Sequence, residues 1–240
     1  MTSDTLHDQK ILILDFGSQY TQNIARKIRE NQVYCEIHPC TLALEDIQAF
    51  NAQGIILSGG PASVLDEDSP LCDRKLFELG IPILGICYGM QLITHVLGGK
   101  VDPSEHREFG RAELMVKEFS HLFEEVKNNS TVWMSHGDRI SKLPSGFKGI
   151  AFTDNSPFAA IENPVAHIYG LQFHPEVVHS IEGGAILNNF LFKICQCDRN
   201  WKMDSLIDHM IKDIREQVGD KKVVCGLSGG VDSSVAAILI

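Results

Sequence analysis

No apolar run in this sequence approaches the roughly 20 residues that a bilayer-crossing helix needs; stretches such as GIIL (54–57) fall far short. The opening MTSDTLHDQK lacks a basic segment followed by an apolar one, so it does not read as an export signal, and a cytoplasmic setting without membrane contact is expected. Basic residues are in the minority, 21 against 31 acidic ones, and the formal net charge of -10 argues against a general affinity for nucleic acid. Paired CxxC spacings are missing too. The seven cysteines, at 35, 40, 72, 87, 195, 197 and 225, are odd in number and irregular in spacing, which fits neither a disulfide framework nor a zinc site, and no metal site is expected.

What is present is an ordinary globular composition, 44% hydrophobic and 22% charged, arranged as short apolar runs that end in glycine and feed helical patterns. KILILDFG (10–17) precedes QYTQNIARKIREN, where Ile24 and Ile28 share a face. GIILSGGP (54–61) reads as a second buried strand, and IPILGICYG (81–89) as a third running into the helix MQLITHVLGG, closed by Gly98 and Gly99. From about 100 to 166 the rhythm shortens, with strands expected around AELMVKEF, TVWMSH, IAFT and FAAIEN in mainly antiparallel pairing. HIYGLQFHPE (167–176) resumes as a strand and GGAILNNFLFKIC (183–195) as a helix. The fold class is therefore α/β, with a mixed, largely parallel central sheet flanked by helices. Residues 1–200 form one expected domain. Residues 201–240 form another, with an amphipathic helix at 204–218, a strand at KVVCGL and a glycine-rich loop entering a helix; they read as the opening of a second, incomplete α/β nucleotide-binding domain.

GICYGMQ (85–91) puts Cys87 at a sharp strand-to-helix turn between Gly85 and Gly89, the layout of a nucleophile elbow. A thiol there meets the positive end of a helix, and an imidazolium nearby would favour its thiolate further. A lone cysteine is more often a small buried hydrophobe, so partners decide. QFHPE supplies them: at the end of an extended segment His174 and Glu176, two residues apart, face one side, so the carboxylate can hold one ring nitrogen while the other serves the thiol. SGGP (58–61) ends another strand on a glycine turn, and the amides of Gly60 and Tyr88 are candidate oxyanion donors, with glycine at 60 expected to allow an unusual φ.

GICYGMQ, HPE and SGGP, in this order and spacing, resemble the class I glutamine amidotransferase family from about Lys10 to Cys197. That resemblance implies a flavodoxin-like sheet and hydrolysis of glutamine through a glutamyl thioester, without a cofactor. Cys87 would be the nucleophile, His174 the general base and acid, Glu176 its orienter, and Gln91 a contact to glutamine. MSHGD resembles the segment lining the family's glutamine pocket, which implicates Ser135, His136 and Asp138.

LSGGVDSS (227–234) resembles the phosphate loop of the N-type ATP pyrophosphatases, implying an ATP site at Ser228, Gly229, Gly230, Val231, Asp232, Ser233 and Ser234. The lysine of a Walker A loop is missing, which fits adenylation with release of pyrophosphate. The pairing of the two resemblances implies a full enzyme that uses ATP and Mg2+ to aminate XMP and forms a homodimer, with DFGSQYTQ and REFGRAE pointing the same way. A γ-glutamyl hydrolase with the same three catalytic residue types is an alternative, disfavoured by the pyrophosphatase-like loop. A noncatalytic regulatory fragment is another, separable by ammonia release from glutamine.

Overall fold

The computed structural model describes residues 9–201, 211, 212 and 214–239, without the side chains of 105–107. These residues group into two compact units, Met1–Arg199 and Asn200–Ile240.

In the first unit β1 (Lys10–Asp15), β2 (Tyr34–Pro39), β3 (Gly54–Leu57), β4 (Ile83–Ile86) and β9 (Ile168–Leu171) pair in parallel. β5 (Lys100–Val116), β6 (Ser130–Lys142), β7 (Lys148–Phe152) and β8 (Ala160–Asn163) complete the sheet through antiparallel pairs. The nine-stranded order is β2-β1-β3-β4-β9-β8-β7-β5-β6. The fold is thus the mixed sheet expected of a class I glutamine amidotransferase, with four parallel and four antiparallel strand pairings. Its helices are α1 (Thr21–Glu30), α2 (Leu44–Phe50), α3 (Tyr88–Val96) and α4 (Gly183–Asn189).

β1, β3, β4 and β9 are buried on both faces, which is why they read as continuous apolar runs. Alternation still sorts them. Ile11 and Ile13 of β1 join the core layer containing Ile24 and Ile28 of α1, while Leu12 and Leu14 join the layer containing Leu92 and Ile93 of α3. Ile24 and Ile28 are both fully buried, so truncating either to alanine should cost about 2–5 kcal/mol.

Four details differ from the sequence reading. The strand expected through Glu176 ends at Leu171, and residues 172–180 run as bends and turns. β5 and β6 are longer than their apolar cores, because each satisfies the other's backbone groups in a hairpin from Lys100↔Lys142 to Leu114↔Ser130. The helix after Gly183 changes to a π-helical turn over Phe190–Ile194, followed by the buried Cys195 and Cys197. KVVCGL forms no strand: residues 221–228 are exposed and irregular, with no ladder partner among the described residues to fix them. Most of the helix expected at 204–218 lies outside the described residues, and the backbone at 211–212 and 214–218 is helical.

Candidate active site

In open α/β sheets, ligands collect at the carboxyl ends of parallel strands, where the strand order reverses. β1, β3, β4 and β9 all send their carboxyl ends into one place here. Beyond β4 comes Cys87, with φ 53 and ψ -104, capping the N-terminus of α3. That left-handed conformation is costly for a residue with a Cβ and marks a functional turn. Its amide donates to the Leu171 carbonyl at 2.7 Å, which ties the elbow to the end of β9. The flanking glycines are required by contact: a Cβ on Gly85 would come 2.6 Å from the Gly89 carbonyl, and one on Gly89 would strike the Leu57 carbonyl.

Beyond β9, the turn carries His174 and Glu176, both buried, with Nδ1 of the imidazole 2.7 Å from Oε1 of the carboxylate. The turn is clamped to β6. The His174 amide donates to the Trp133 carbonyl at 3.0 Å, and the Ser180 hydroxyl donates to the His174 carbonyl while accepting the Trp133 amide. The Tyr20 ring packs edge-on against His174, with centroids 5.0 Å apart. Burial by itself would lower the His174 pKa. Hydrogen bonds to Cys87 and Glu176, together with their charges, outweigh it and raise the value to about 10. The imidazole therefore holds its proton at neutral pH, between a sulfur and a carboxylate.

Beyond β3, Gly59 and Gly60 close over the elbow. A Cβ on Gly59 would stand 3.1 Å from Cε1 of His174 and 3.6 Å from Cβ of Cys87. The unusual φ expected at Gly60 is absent, since its φ is not positive. Glycine is needed there for space, because a Cβ would lie 2.6 Å from the Phe16 carbonyl oxygen. Beyond β1, Asp15 accepts from the Gly17 amide at 2.9 Å and the Thr21 hydroxyl at 2.7 Å, folding DFGSQY back over the site.

Two cavities meet at Cys87, Gly60, Pro61 and Ser135. The larger, about 360 Å3, is also lined by Tyr88, Gln91, His136 and Asp138. The smaller, about 210 Å3, holds His174 and the loop residues Ser18, Gln19 and Tyr20. The structure thus brings together all of the residues singled out in this domain. Their polar atoms are not equally free. Gln91 Nε2 donates to the Asp138 carbonyl at 3.1 Å and to Gln172 Oε1 at 3.3 Å, Asp138 Oδ2 accepts the Ser63 hydroxyl at 2.5 Å, and both His136 nitrogens face protein atoms. The Ser135 carbonyl lies 3.5 Å from Sγ of Cys87.

Sequence reasoning missed Gln172, fully buried, whose Nε2 stands 3.9 Å from Sγ of Cys87. It also missed Tyr20 and Ser63, although Gln172 and Tyr20 lie inside the stretches QFHPE and DFGSQYTQ that drew attention for other reasons.

In the second unit Gly229 has φ +82, and the hydroxyls of Ser228 and Ser233 approach to 3.1 Å across the start of a helix over Val231–Leu239. Ser233 and Ser234 donate to the Gly230 carbonyl, at 3.1 and 2.9 Å. Hydroxyls and helix-start amides gathered on a tight turn are the donor set that phosphate oxygens accept from. Among the described residues no three His, Cys, Asp or Glu side chains gather as a metal centre would require, and no helix is long and apolar enough to cross a membrane.

Residues 12–194 match the glutamine amidotransferase class-I family, and residues 203–240 match the NAD synthase family. The chain is 57% identical over 235 residues to GMP synthase [glutamine-hydrolyzing] of Acetivibrio thermocellus, covering 98% of this chain and 46% of that protein. Against the enzyme of the same name from Brachyspira hyodysenteriae it is 57% identical over 231 residues, 96% of this chain and 45% of the other. The chain thus spans about half the length of these curated relatives. A solved structure from Thermoplasma acidophilum, assigned as one of the subunits of GMP synthase, superposes with a TM-score of 0.71 at 32% identity, covering 79% of this chain and 95% of that one. A glutamine amidotransferase from Thermotoga maritima shares the fold, with a TM-score of 0.57 at 20% identity over 97% of this chain and 98% of that one.

Proposed function

Because the chain belongs to the class I glutamine amidotransferase family, we propose that it hydrolyses glutamine at Cys87 and that, within a glutamine-hydrolysing GMP synthase, the ammonia released aminates XMP. The observation that carries this reading is the strained elbow of Cys87 set against the buried His174–Glu176 pair at the junction of two cavities.

Glutamine's side chain enters the larger cavity and Sγ of Cys87 attacks its carboxamide carbon. The oxygen that becomes negative turns to the amides of Tyr88 and Gly60; Tyr88 opens α3, so its N–H has no partner within the helix. His174 lines the smaller cavity beside Cys87, and on that side gives its proton to the departing nitrogen. The C–N bond breaks, ammonia leaves and a thioester remains. A water on the same side then loses a proton to His174 and attacks the thioester, glutamate departs, and the thiolate and imidazolium are restored. Glu176 holds Nδ1–H throughout, keeping Nε2 directed at the chemistry.

The names of the relatives support the wider reading, as does the loop Ser228–Ser234, whose turn and hydroxyls suit ATP phosphates. When bound, ATP would supply the activation of XMP, with Mg2+ carried on its phosphates; Ser228, Gly229, Gly230, Val231, Asp232, Ser233 and Ser234 would hold it. A cytoplasmic, homodimeric full-length enzyme belongs to the same proposal. The decisive assay measures ammonia release from free glutamine against a γ-glutamyl peptide. Hydrolysis of glutamine that disappears in Cys87→Ala is expected. Turnover of the peptide alone would make the protein a γ-glutamyl hydrolase, and no turnover of either by folded protein would overturn the catalytic reading.

A further inference from the structure

A second buried carboxylate–imidazole pair lies behind the larger cavity, and no step of the reaction uses it. Glu108 of β5 and His136 of β6 are direct cross-strand partners, placed opposite each other just after a shift in register between Pro103 and Glu108. Both are almost wholly buried, at 8% and 6% exposure, and a carboxylate is rarely so buried without dedicated partners. Glu108 has two. Its Oε1 accepts the Thr153 hydroxyl at 2.9 Å, and its Oε2 faces Nε2 of His136 at 3.2 Å. The Thr153 oxygen accepts the Ser156 amide at 3.1 Å, which leaves its single hydrogen for the carboxylate.

The other ring nitrogen settles the protonation pattern. Nδ1 of His136 lies 2.9 Å from the Asp138 carbonyl, which only accepts, so Nδ1 carries a hydrogen and one further proton is shared between Nε2 and Glu108. His136 therefore lines the cavity without a nitrogen to offer a substrate. It holds the Asp138 carbonyl instead, and that carbonyl also accepts from Gln91, which donates to Gln172, whose amide nitrogen approaches Sγ of Cys87. A continuous line of polar contacts runs from Thr153 through Glu108, His136, the Asp138 carbonyl, Gln91 and Gln172 to the nucleophile.

We propose that Glu108 is a positioning residue for the substrate cavity: through His136 it fixes the Asp138 carbonyl and the Gln91 amide, and so sets the shape in which glutamine is received. This rests on the reading of that cavity as glutamine's. None of these groups is a reacting atom, so the effect falls on substrate binding and leaves the chemistry of the thiol intact.

The test compares wild type, Glu108→Ala, Glu108→Gln and Thr153→Val by labelling of Cys87 with two electrophiles: a diazoketone analogue of glutamine, which must fill the cavity, and iodoacetamide, which need not. In Glu108→Ala the half-saturating concentrations of analogue and of protecting glutamine should rise about tenfold or more, the scale of a buried hydrogen-bonding group left unpaired, while iodoacetamide reacts at close to the wild-type rate. Glu108→Gln should restore binding, since its amide accepts from Thr153 and donates to a neutral His136. Thr153→Val should show a smaller loss in the same direction and carries the test if Glu108→Ala does not fold. Unchanged half-saturation in Glu108→Ala or Thr153→Val, damage in Glu108→Gln equal to that in Glu108→Ala, or a parallel fall in iodoacetamide labelling overturns the proposal. If wild type itself is not labelled by the analogue, the glutaminase reading falls as well; if it is labelled and protected by glutamine while the variants match it, the inference about Glu108 falls alone.

Discussion

Nδ1 of His174 and Oε1 of Glu176 lie 2.7 Å apart across a turn in which Pro175 alone separates the two residues. The carboxylate is thus held beside the ring by local chain geometry, and in the proposed mechanism its work is confined to orienting and charging the ring. From this follows an order of damage. Cys87→Ala should abolish glutamine hydrolysis, and His174→Ala should come close to it. Glu176→Ala should retain more, with kcat roughly 10^2- to 10^4-fold below wild type, because a third member that only orients costs less than nucleophile or base. Steady-state ammonia release checks the order, and a Glu176 variant more damaged than the other two would show the roles to be misassigned.

The proton on His174 makes a second prediction. Burial favours the neutral ring, but Cys87 and Glu176 raise the pKa from 6.5 to about 10, so folding favours the charged form. The stability this contributes is full below about 6.5 and is lost as pH rises toward about 10. NMR titration of the ring should give an alkaline midpoint in wild type and lower midpoints in Cys87→Ala and Glu176→Gln, each of which removes one raising partner. A wild-type midpoint near 6.5, the ordinary value, would contradict the coupling.

Alkylation by a diazoketone analogue of glutamine should map to Cys87 ahead of Cys35, Cys40 and Cys72. Burial pushes the thiol of Cys35 up to about 11 and that of Cys72 up to about 12, and it raises Cys40 as well. Cys87 alone among the seven cysteines lines the two central cavities. Peptide mapping with and without glutamine decides the matter: label spread over the other three, without protection by glutamine, would count against the assignment.

Gly60→Ala should lose activity and about 1–3 kcal/mol of stability, since its Cβ would press on the Phe16 carbonyl at 2.6 Å and push the SGGP turn off the elbow. Urea unfolding and ammonia release measure the two losses together. An active variant of unchanged stability would mean that the turn yields at no cost and is not held where the oxyanion would need it.

At the loop Ser228–Ser234 the expected outcome is weak binding. The residues before it, 221–227, form no strand and are exposed, and the serine hydroxyls bond within the loop. Amides that no sheet holds in place bind phosphate poorly. Calorimetric titration of this chain with ATP and Mg2+ should show no micromolar binding; finding it would mean that the loop is organised by something other than a strand.

The sequence by itself determined the alternation of strand and helix, the elbow at Cys87 and the pairing of His174 with Glu176. Each is written in short-range chemistry: apolar runs closed by glycine, a cysteine between Gly85 and Gly89, a carboxylate two residues from an imidazole. Tertiary structure decided what depends on residues far apart in the chain. The strand before His174 stops at Leu171 because β6, through the Trp133 carbonyl and the Ser180 hydroxyl, takes up the backbone beyond it. Gly60 is glycine because Phe16 lies against it, and not because of its own φ. Gln172 reaches both Gln91 and Cys87, and Glu108 meets His136, only because the register of a hairpin and the parallel pairing of β4 with β9 bring them within hydrogen-bonding distance, and register is a property of the assembled sheet that no local pattern contains.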